Sequence, residues 1–441
     1  MERLLMKDLL KWKNNPQKKP LIIQGVRQCG KTYLIEEFGN RYYNDVAYYR
    51  FDTEKKIAGF FTEDLNPRRI IKELGFLRGK TIKAHETLIV FDEIQECANA
   101  VTSLKYFCED TPEYHVVSAG SLLGIAMKKN ASFPVGKVEF LNLYPLNFYE
   151  FLLAQNELLA TKLINVSFQD SIWDSLHLEL VEKYREYSII GGMPEVVQIW
   201  LDTKDVNEAE KKQNEILAGY QRDFAKYSGS NEYPKISEIW HSIPSQLGKE
   251  NRKFIFSHVK SSWRAKDLED ALVWLIDAGM VYKVESIEKP NYPLSSYANH
   301  TFFKLYMVDI GLLRCHADLP PAIVLENDSA FQEFKGAMAE NHVACELKMM
   351  YGKQKSKNLY YWVASGSAKA EVDFIVQDSE KYIIPIEVKA GLVRHARSLT
   401  QYCRKFNVDK SVLTSLDKIS KNTLPLYAFW RFKDWIKGNF K

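Results

Sequence analysis

Short apolar runs alternate with amphipathic stretches over the first 120 residues. Leu21-Ile22-Ile23, Val46-Ala47-Tyr48-Tyr49-Arg50-Phe51, Leu88-Ile89-Val90-Phe91 and Val116-Val117 are such runs, and helical patterns follow Gly30 and cover 68–77. Brief apolar runs bounded by turn residues suit strands buried on both faces, and strands alternating with helices predict a parallel sheet covered by helices. Ahead of them, residues 1–19 read as a short basic helix and a turn at Asn14-Asn15-Pro16. From about 145 to 230 the pattern becomes helical, with long polar–apolar repeats over 173–188 and 206–227. Helices over 236–247, 254–260 and 264–278 come next, the third placing Leu268, Leu272, Leu275 and Ile276 on one stripe with Gly279 as its C-cap. Strands at 280–284 and 301–305 follow, so the order reads as a winged helix. After a linker from Leu319 to about Ser329, a helix over 332–350 carries Phe334, Met338, Val343 and Leu347 on one stripe. Strands at 359–363, 371–376 and 383–390, a helix from about His395 and a strand at 410–415 complete a second α/β unit. Trp430, Phe432 and Trp435 near the end are expected in the core.

The loop after the first strand, Gly25-Val26-Arg27-Gln28-Cys29-Gly30-Lys31-Thr32, fits G-x-x-x-x-G-K-[ST] between a strand and a helix, the context that gives this pattern meaning. Its glycines let successive N–H groups turn inward around phosphate oxygens, and the helix opening near Gly30 aims its positive end at the same anion. Lys31 is expected to reach the β- and γ-phosphates, and the Thr32 hydroxyl to ligate Mg²⁺. About sixty residues on, the third strand runs into Asp92 and Glu93. Carboxylates at the carboxyl end of a central strand lie where open α/β sheets bind ligands. Asp92 is expected to hold Mg²⁺ mostly through water, and Glu93 to orient the attacking water. The fourth strand ends in Ser118-Ala119-Gly120-Ser121, where Ser118 or Ser121 serves either as a γ-phosphate sensor or as part of a helix-capping turn.

Composition narrows this picture. The chain has 441 residues, 46% hydrophobic and 13% aromatic, enough for about three domains with real cores. No run approaches the ~20 apolar residues of a membrane span, and the opening MERLLMKDLLKWK lacks a signal peptide's apolar region. Six scattered cysteines with no CxxC fit reduced thiols in a cytoplasm. A net charge of +4 does not by itself argue for nucleic-acid binding, so that question falls to local faces. One such face is Lys260, Arg264 and Lys266 at the start of the third helix of the winged-helix pattern, either a DNA reader or a solvated surface diluted by Asp267, Glu269 and Asp270.

The P-loop, Phe91-Asp92-Glu93-Ile94-Gln95, Ala119-Gly120-Ser121, Leu143-Tyr144-Pro145-Leu146-Asn147-Phe148-Tyr149-Glu150-Phe151 and Gly191-Gly192-Met193-Pro194-Glu195, in that order, resemble a prokaryotic family of AAA-type ATPases. The resemblance covers nearly the whole chain and implies ATP and Mg²⁺ as cofactors, a helical lid, sites shared within a homo-oligomer, and a C-terminal nuclease-like domain of unknown function. Where that family usually shows Gly-Arg ahead of the Leu-Tyr-Pro-Leu segment, this chain has Gly136-Lys137, which keeps the charge and loses the planar fork of an arginine. A basic residue of the lid, near Arg222, is a second place for a phosphate contact.

In the C-terminal unit, strand alternation sets Glu371 and Asp373 on one face, and Glu387 and Lys389 on one face, with apolar residues between. Carboxylates converging beside a lysine suit metal-assisted phosphodiester cleavage: acids for Mg²⁺ or Mn²⁺, the amine for positioning water or balancing charge. The pattern resembles the PD-(D/E)xK nuclease fold, with Asp373, Glu387 and Lys389 as its core and Glu340 as the helix-borne acid. A fold of that kind that binds nucleic acid or protein without cutting uses the same residues. The expected division is a P-loop core over 1–145, a helical lid over 146–230, a winged helix over 231–320 and the nuclease-like α/β domain over 321–441. The expected function is an Mg²⁺-dependent ATPase coupled to a nucleic-acid-directed C-terminal domain, or an ATP-controlled DNA- or protein-binding switch that does not cleave.

Overall fold

The structure is a computed structural model, and it describes residues 1–120, 133–168, 172–229, 231–249, 252–326, 332–352, 358–364, 370–378, 382–392 and 396–439. Ser121, the turn residues Ser379 and Glu380, and His395 lie outside the described residues. The chain forms two compact units, Met1–Tyr144 with Asp277–Gly279, and Pro145–Ile276 with Met280–Lys441.

In the first unit β1 (Leu21–Gln24), β2 (Asp45–Arg50), β3 (Thr87–Asp92), β4 (His115–Gly120) and β5 (Glu139–Asn142) form a sheet in the order β2-β3-β4-β1-β5. Every neighbouring pair is parallel. All residues of β3 and β4 are buried, as continuous apolar runs require when helices cover both faces. Helices α1 (Met6–Asn14), α2 (Lys31–Tyr42), α3 (Lys55–Gly59), α4 (Pro67–Leu77) and α5 (Ala98–Asp110) supply the cover. The start of α4 is fixed by Asn66, whose side chain accepts the free N–H groups of Arg68 and Arg69, with Pro67 in the first turn. Phe91 anchors the core, its ring 5.8 Å from those of Phe51, Phe61 and Phe107. The strand at 139–142 was not expected from the sequence: it is a half-buried edge whose apolar pair Phe140-Leu141 is bracketed by Glu139 and Asn142, and it pairs with β1.

The second unit begins with helices α6 (Phe148–Gln155), α7 (Glu157–Asn165), α8 (Asp174–Ile190), α9 (Pro194–Thr203) and α10 (Val206–Tyr227). The two signature segments named above meet here and hold backbone together. The Leu146 N–H donates to Gly192 O at 2.6 Å, Tyr187 Oη to Leu146 O at 2.8 Å, and the Gly192 N–H to Asp309 Oδ2 at 2.6 Å. Gly191 has φ +74°, and a Cβ there would strike Asp309 Oδ1, so both conformation and space demand glycine. Asn147 and Glu150 form a capping box that starts α6.

Next come α11 (Tyr233–Leu247), α12 (Ala265–Asp277), β6 (Val281–Ile287), β7 (Ala298–Met307), α13 (Ile310–His316) and α14 (Pro321–Glu326). They lead into α15 (Gln332–Tyr351), β8 (Leu359–Val363), β9 (Glu371–Gln377), β10 (Ile383–Val388), α16 (Arg397–Phe406), β11 (Val412–Ser415), β12 (Thr423–Pro425) and α17 (Phe432–Asn439). Two features depart from the winged-helix expectation. Its second helix is a single 3₁₀ turn, Phe256–His258. Its strands are also not a separate wing: the sheet order is β12-β11-β10-β9-β8-β6-β7, with β6 parallel to β8. The boundary expected at 320 therefore cuts through one continuous sheet. β6 is buried along nearly its whole length and β7 over Phe303–Met307, and pairing of β6 with β8 satisfies backbone groups that a separate two-stranded wing would leave at an open edge.

Helix α15 also differs from its expected single stripe, being buried almost all round from Ala337 to Leu347. It carries Glu340, Asn341, His342 and Glu346 inside the fold. Asn341 exchanges hydrogen bonds with the Met307 backbone at 2.7 and 3.1 Å, and His342 Nε2 donates to Leu426 O at 3.0 Å. Phe432 and Trp435 are core residues as expected, while Trp430 is half-buried and stacks on Tyr149 at 4.2 Å.

Candidate functional sites

The loop after β1 closes tightly. A Cβ on Gly25 would strike Leu143 O and lie 2.8 Å from Cys29 Sγ, so close approach fixes the first glycine, whereas φ +92° fixes Gly30. Gln28 also has positive φ, Arg27 and Gln28 are exposed, and Val26 and Cys29 point into the core. Lys31 opens α2 and folds back, its Nζ donating to Gly25 O at 2.8 Å and Val26 O at 3.0 Å. The amine thus lies across the concave side of the loop.

Beside it the two acids of β3 divide their work. Thr32 Oγ1 donates to Asp92 Oδ2 at 3.1 Å, Tyr48 Oη donates to the same oxygen, and the Glu93 N–H donates to Asp92 Oδ1 at 3.0 Å. Burial, with the charge of Asp92, raises the Tyr48 pKa, so that hydroxyl stays a donor. Glu93 follows in the left-handed region at φ +50° and accepts from Gln95 Nε2. A strained backbone at the end of a sheet strand is typical of functional positions. A hydroxyl and a carboxylate already in contact, sixty residues apart in sequence, suit the ligand chemistry of Mg²⁺, which takes a few protein oxygens and keeps several waters. Ser118 is buried between Ile22 of β1 and Phe91 of β3, and its Oγ has no partner among the described residues. Lys137 pairs with Glu109 at 2.8 Å in an exposed ion pair, and Arg222 is exposed.

The second constellation lies under α15 in the other unit. Antiparallel pairing of Ile386 with Phe374, continued one step, sets Glu387 opposite Asp373 on one face. Asp373 Oδ2 accepts the Val388 N–H at 2.7 Å, and Lys389 Nζ donates to Glu387 Oε1 at 2.5 Å. Glu340 reaches the same place from α15, as the sequence suggested. Two cations that the sequence reading had not placed there come with it. Lys304 of β7, fully buried, lies 2.5 Å from Glu371 Oε1, 3.2 Å from Glu340 Oε2 and 4.0 Å from Asp373 Oδ1. Arg252 pairs with Glu340 Oε1, and Tyr306 Oη donates to Glu340 Oε2 at 2.6 Å. The missed signal was a lysine inside the apolar run Phe303-Lys304-Leu305-Tyr306-Met307, since a lysine is almost never buried unless paired.

Burial raises Glu387, and the charge of Asp373 adds to it, so its pKa is pushed up to about 8 against the pull of Lys389. Burial alone would discharge Lys304, yet Tyr306, Glu371 and Asp373 outweigh it and raise its pKa, keeping the ammonium. Among the described residues no group of three or more His, Cys, Asp or Glu side chains is disposed to hold a metal ion.

Parallel sheet, glycine loop and acid pair give the first unit an α/β fold that resembles P-loop ATPases. The AAA domain family matches residues 17–152, and two families each described as a domain of unknown function, DUF8612 and DUF4143, match 181–322 and 335–425. The chain is similar to the uncharacterized protein MJ1544 of Methanocaldococcus jannaschii, 22% identical over 430 residues, 93% of this chain and 87% of that one. Among solved structures, the Walker-type ATPase PABY2304 of Pyrococcus abyssi is 14% identical, covering 70% of this chain and 94% of its own, with a TM-score of 0.44. The Aeropyrum pernix ORC1 protein, solved in complex with DNA, is 12% identical, covering 73% and 92%, with a TM-score of 0.25. No helix among the described residues is long and apolar enough to cross a membrane, and all six cysteines are unpaired.

Proposed function

We propose that this protein is a cytoplasmic, Mg²⁺-dependent ATPase whose nucleotide state controls a nucleic-acid-directed, nuclease-like C-terminal domain. The observation that carries the ATPase reading is the contact of Thr32 with Asp92 beside the Lys31 amine. Amides of Gly25 to Thr32 cradle the phosphates, and Lys31 exchanges two loop carbonyls for phosphate oxygens. Thr32 and Asp92 are the residues that would hold Mg²⁺, which supplies charge neutralisation between the phosphates. Glu93 orients the attacking water and accepts its proton. Ser118 is a γ-phosphate sensor in this reading. The ion pair with Glu109 makes Lys137 a poor charge stabiliser, so an arginine supplied by a second copy in a homo-oligomer fits better.

The element order α15-β8-β9-β10-α16-β11, with Asp373, Glu387, Lys389 and Glu340 at one place, supports a PD-(D/E)xK-like fold for the C-terminal part. The cations inside the cluster favour the second reading, a domain that binds without cutting. Lys260, Arg264 and Lys266 are exposed at the start of α12 and are the candidate nucleic-acid contacts. ATP turnover by the full chain, measured with and without single- and double-stranded DNA and RNA, tests the reading together with gel-shift binding in each nucleotide state. Turnover that needs Mg²⁺, and binding that changes between ATP and ADP, are expected; no turnover under any condition overturns the ATPase claim. Nicking by the wild type, lost in Lys389→Ala, would overturn the non-cleaving reading.

A further inference from the structure

The C-terminal carboxylates already have cationic partners, and we propose that Lys304 stands in for the divalent cation that a nuclease-like site would carry. Four acids meet there, Glu340, Glu371, Asp373 and Glu387, and three cations answer them, Arg252, Lys304 and Lys389. The distribution of bonds matters more than the count. Glu340 gives one oxygen to Arg252 and the other to Lys304 and Tyr306. Glu371 binds Lys304, Asp373 spends one oxygen on the Val388 N–H, and Glu387 spends one on Lys389. That leaves Asp373 Oδ1, facing the Lys304 ammonium at 4.0 Å, and Glu387 Oε2, buried without a partner among the described residues. A divalent ion bound to Asp373 Oδ1 would stand close to a fixed, fully buried ammonium. The two like charges would repel in a site from which water is largely excluded. The residue set therefore does not fit a resident Mg²⁺ or Mn²⁺ while the amine is in place.

Lys304 and Arg252 come from the segment that joins the sheet through β6 and β7, while the acids lie on α15, β9 and β10. The cluster is a clasp between these segments, made from the residues that a cutting enzyme would keep for its ion. This inference rests on the nuclease-like reading of the C-terminal fold and is independent of nucleotide binding by the P-loop.

The test is Mn²⁺ binding to the full chain without nucleotide, followed by electron paramagnetic resonance, with Asp373→Asn as reference. Wild type and Asp373→Asn are expected to bind Mn²⁺ indistinguishably. Lys304→Gln and Lys304→Met, checked for folding by circular dichroism, are expected to gain a stoichiometric site at least tenfold tighter. A one-to-one site in wild type that Asp373→Asn abolishes would overturn the proposal. So would folded Lys304 variants with no gain. Should neither variant fold, the wild-type comparison with Asp373→Asn decides in the same way. Labelled ATP titrated into the same samples separates failure here from failure of the ATPase reading.

Discussion

Two acidic sites in one chain are built in opposite ways. At the end of β3, Asp92 is bonded by two hydroxyls and an amide, neutral donors that orient a carboxylate without cancelling its charge. Under α15, Glu340, Glu371 and Asp373 are met by a buried ammonium and Glu340 also by a guanidinium, which cancel most of it. Carboxylates left with their charge can recruit a divalent ion, and through it a triphosphate. Carboxylates already paired hold elements of the fold together, because a buried ion pair that loses one partner leaves an uncompensated charge behind. Residue type alone does not separate these cases; what the other donors are does.

The contrast can be pressed hardest at Lys304. Replacing it with methionine is expected to destabilise the second unit by about 3–5 kcal/mol, the cost typical of stranding a buried partner. Chemical denaturation at neutral pH reads this, and an unchanged midpoint would place the acids in water instead. Glu93→Gln comes next. It is expected to cut ATP turnover about 100-fold or more while leaving nucleotide affinity nearly unchanged, since only the proton acceptor is lost. Parallel loss of binding and turnover would make Glu93 a structural residue.

A third, smaller effect concerns pH. Burial pushes Glu346, on α15, up to about 8 from 4.5, and Asp309 up to about 6 from 3.8. Both native forms hold a proton that the unfolded chain has released, so these groups favour folding at low pH. Their contribution falls as pH rises, through 3.8 to 6 for Asp309 and 4.5 to 8 for Glu346. Glu346→Gln keeps the oxygen that accepts the Phe148 N–H and removes the ionisation. It is expected to be more stable than wild type at pH 8, with the gain shrinking as pH falls and vanishing near pH 4.5. A constant difference across that range would assign the effect to packing. Smallest of all, Lys137→Ala removes an exposed pair and is expected to change ATP turnover less than twofold. A drop of tenfold or more would restore Lys137 to the phosphate site.

The two sites also differ in how far they could be read from the sequence. The P-loop is a local object: eight consecutive residues, one strand before and one helix after, with the acid pair at the end of an unmistakable apolar run. The parallel sheet followed from the same runs, except β5, whose apolar pair Phe140-Leu141 is set between the polar Glu139 and Asn142 and is only half-buried. The C-terminal acids were also visible, because strand alternation puts them on one face. Their counter-ions were not, since Arg252 and Lys304 belong to segments that reading in order assigned to a separate winged helix. Pairing of β6 with β8, which no local pattern encodes, brings Lys304 to Asp373. The Gly191-Gly192 segment was legible as a signature but not as a role. Only the bond from Gly192 to Asp309 shows that it ties backbone.

The central claim is that a triphosphate lies in the cup of amides before α2 with Lys31 and Thr32 around it. Calorimetric titration of ATP with Mg²⁺ into the full chain, wild type against Lys31→Ala, tests this most directly. Stoichiometric binding by wild type, weakened at least 100-fold in a Lys31→Ala protein of unchanged circular dichroism, is the expected result. No binding by folded wild type, or equal binding by both proteins, would contradict it.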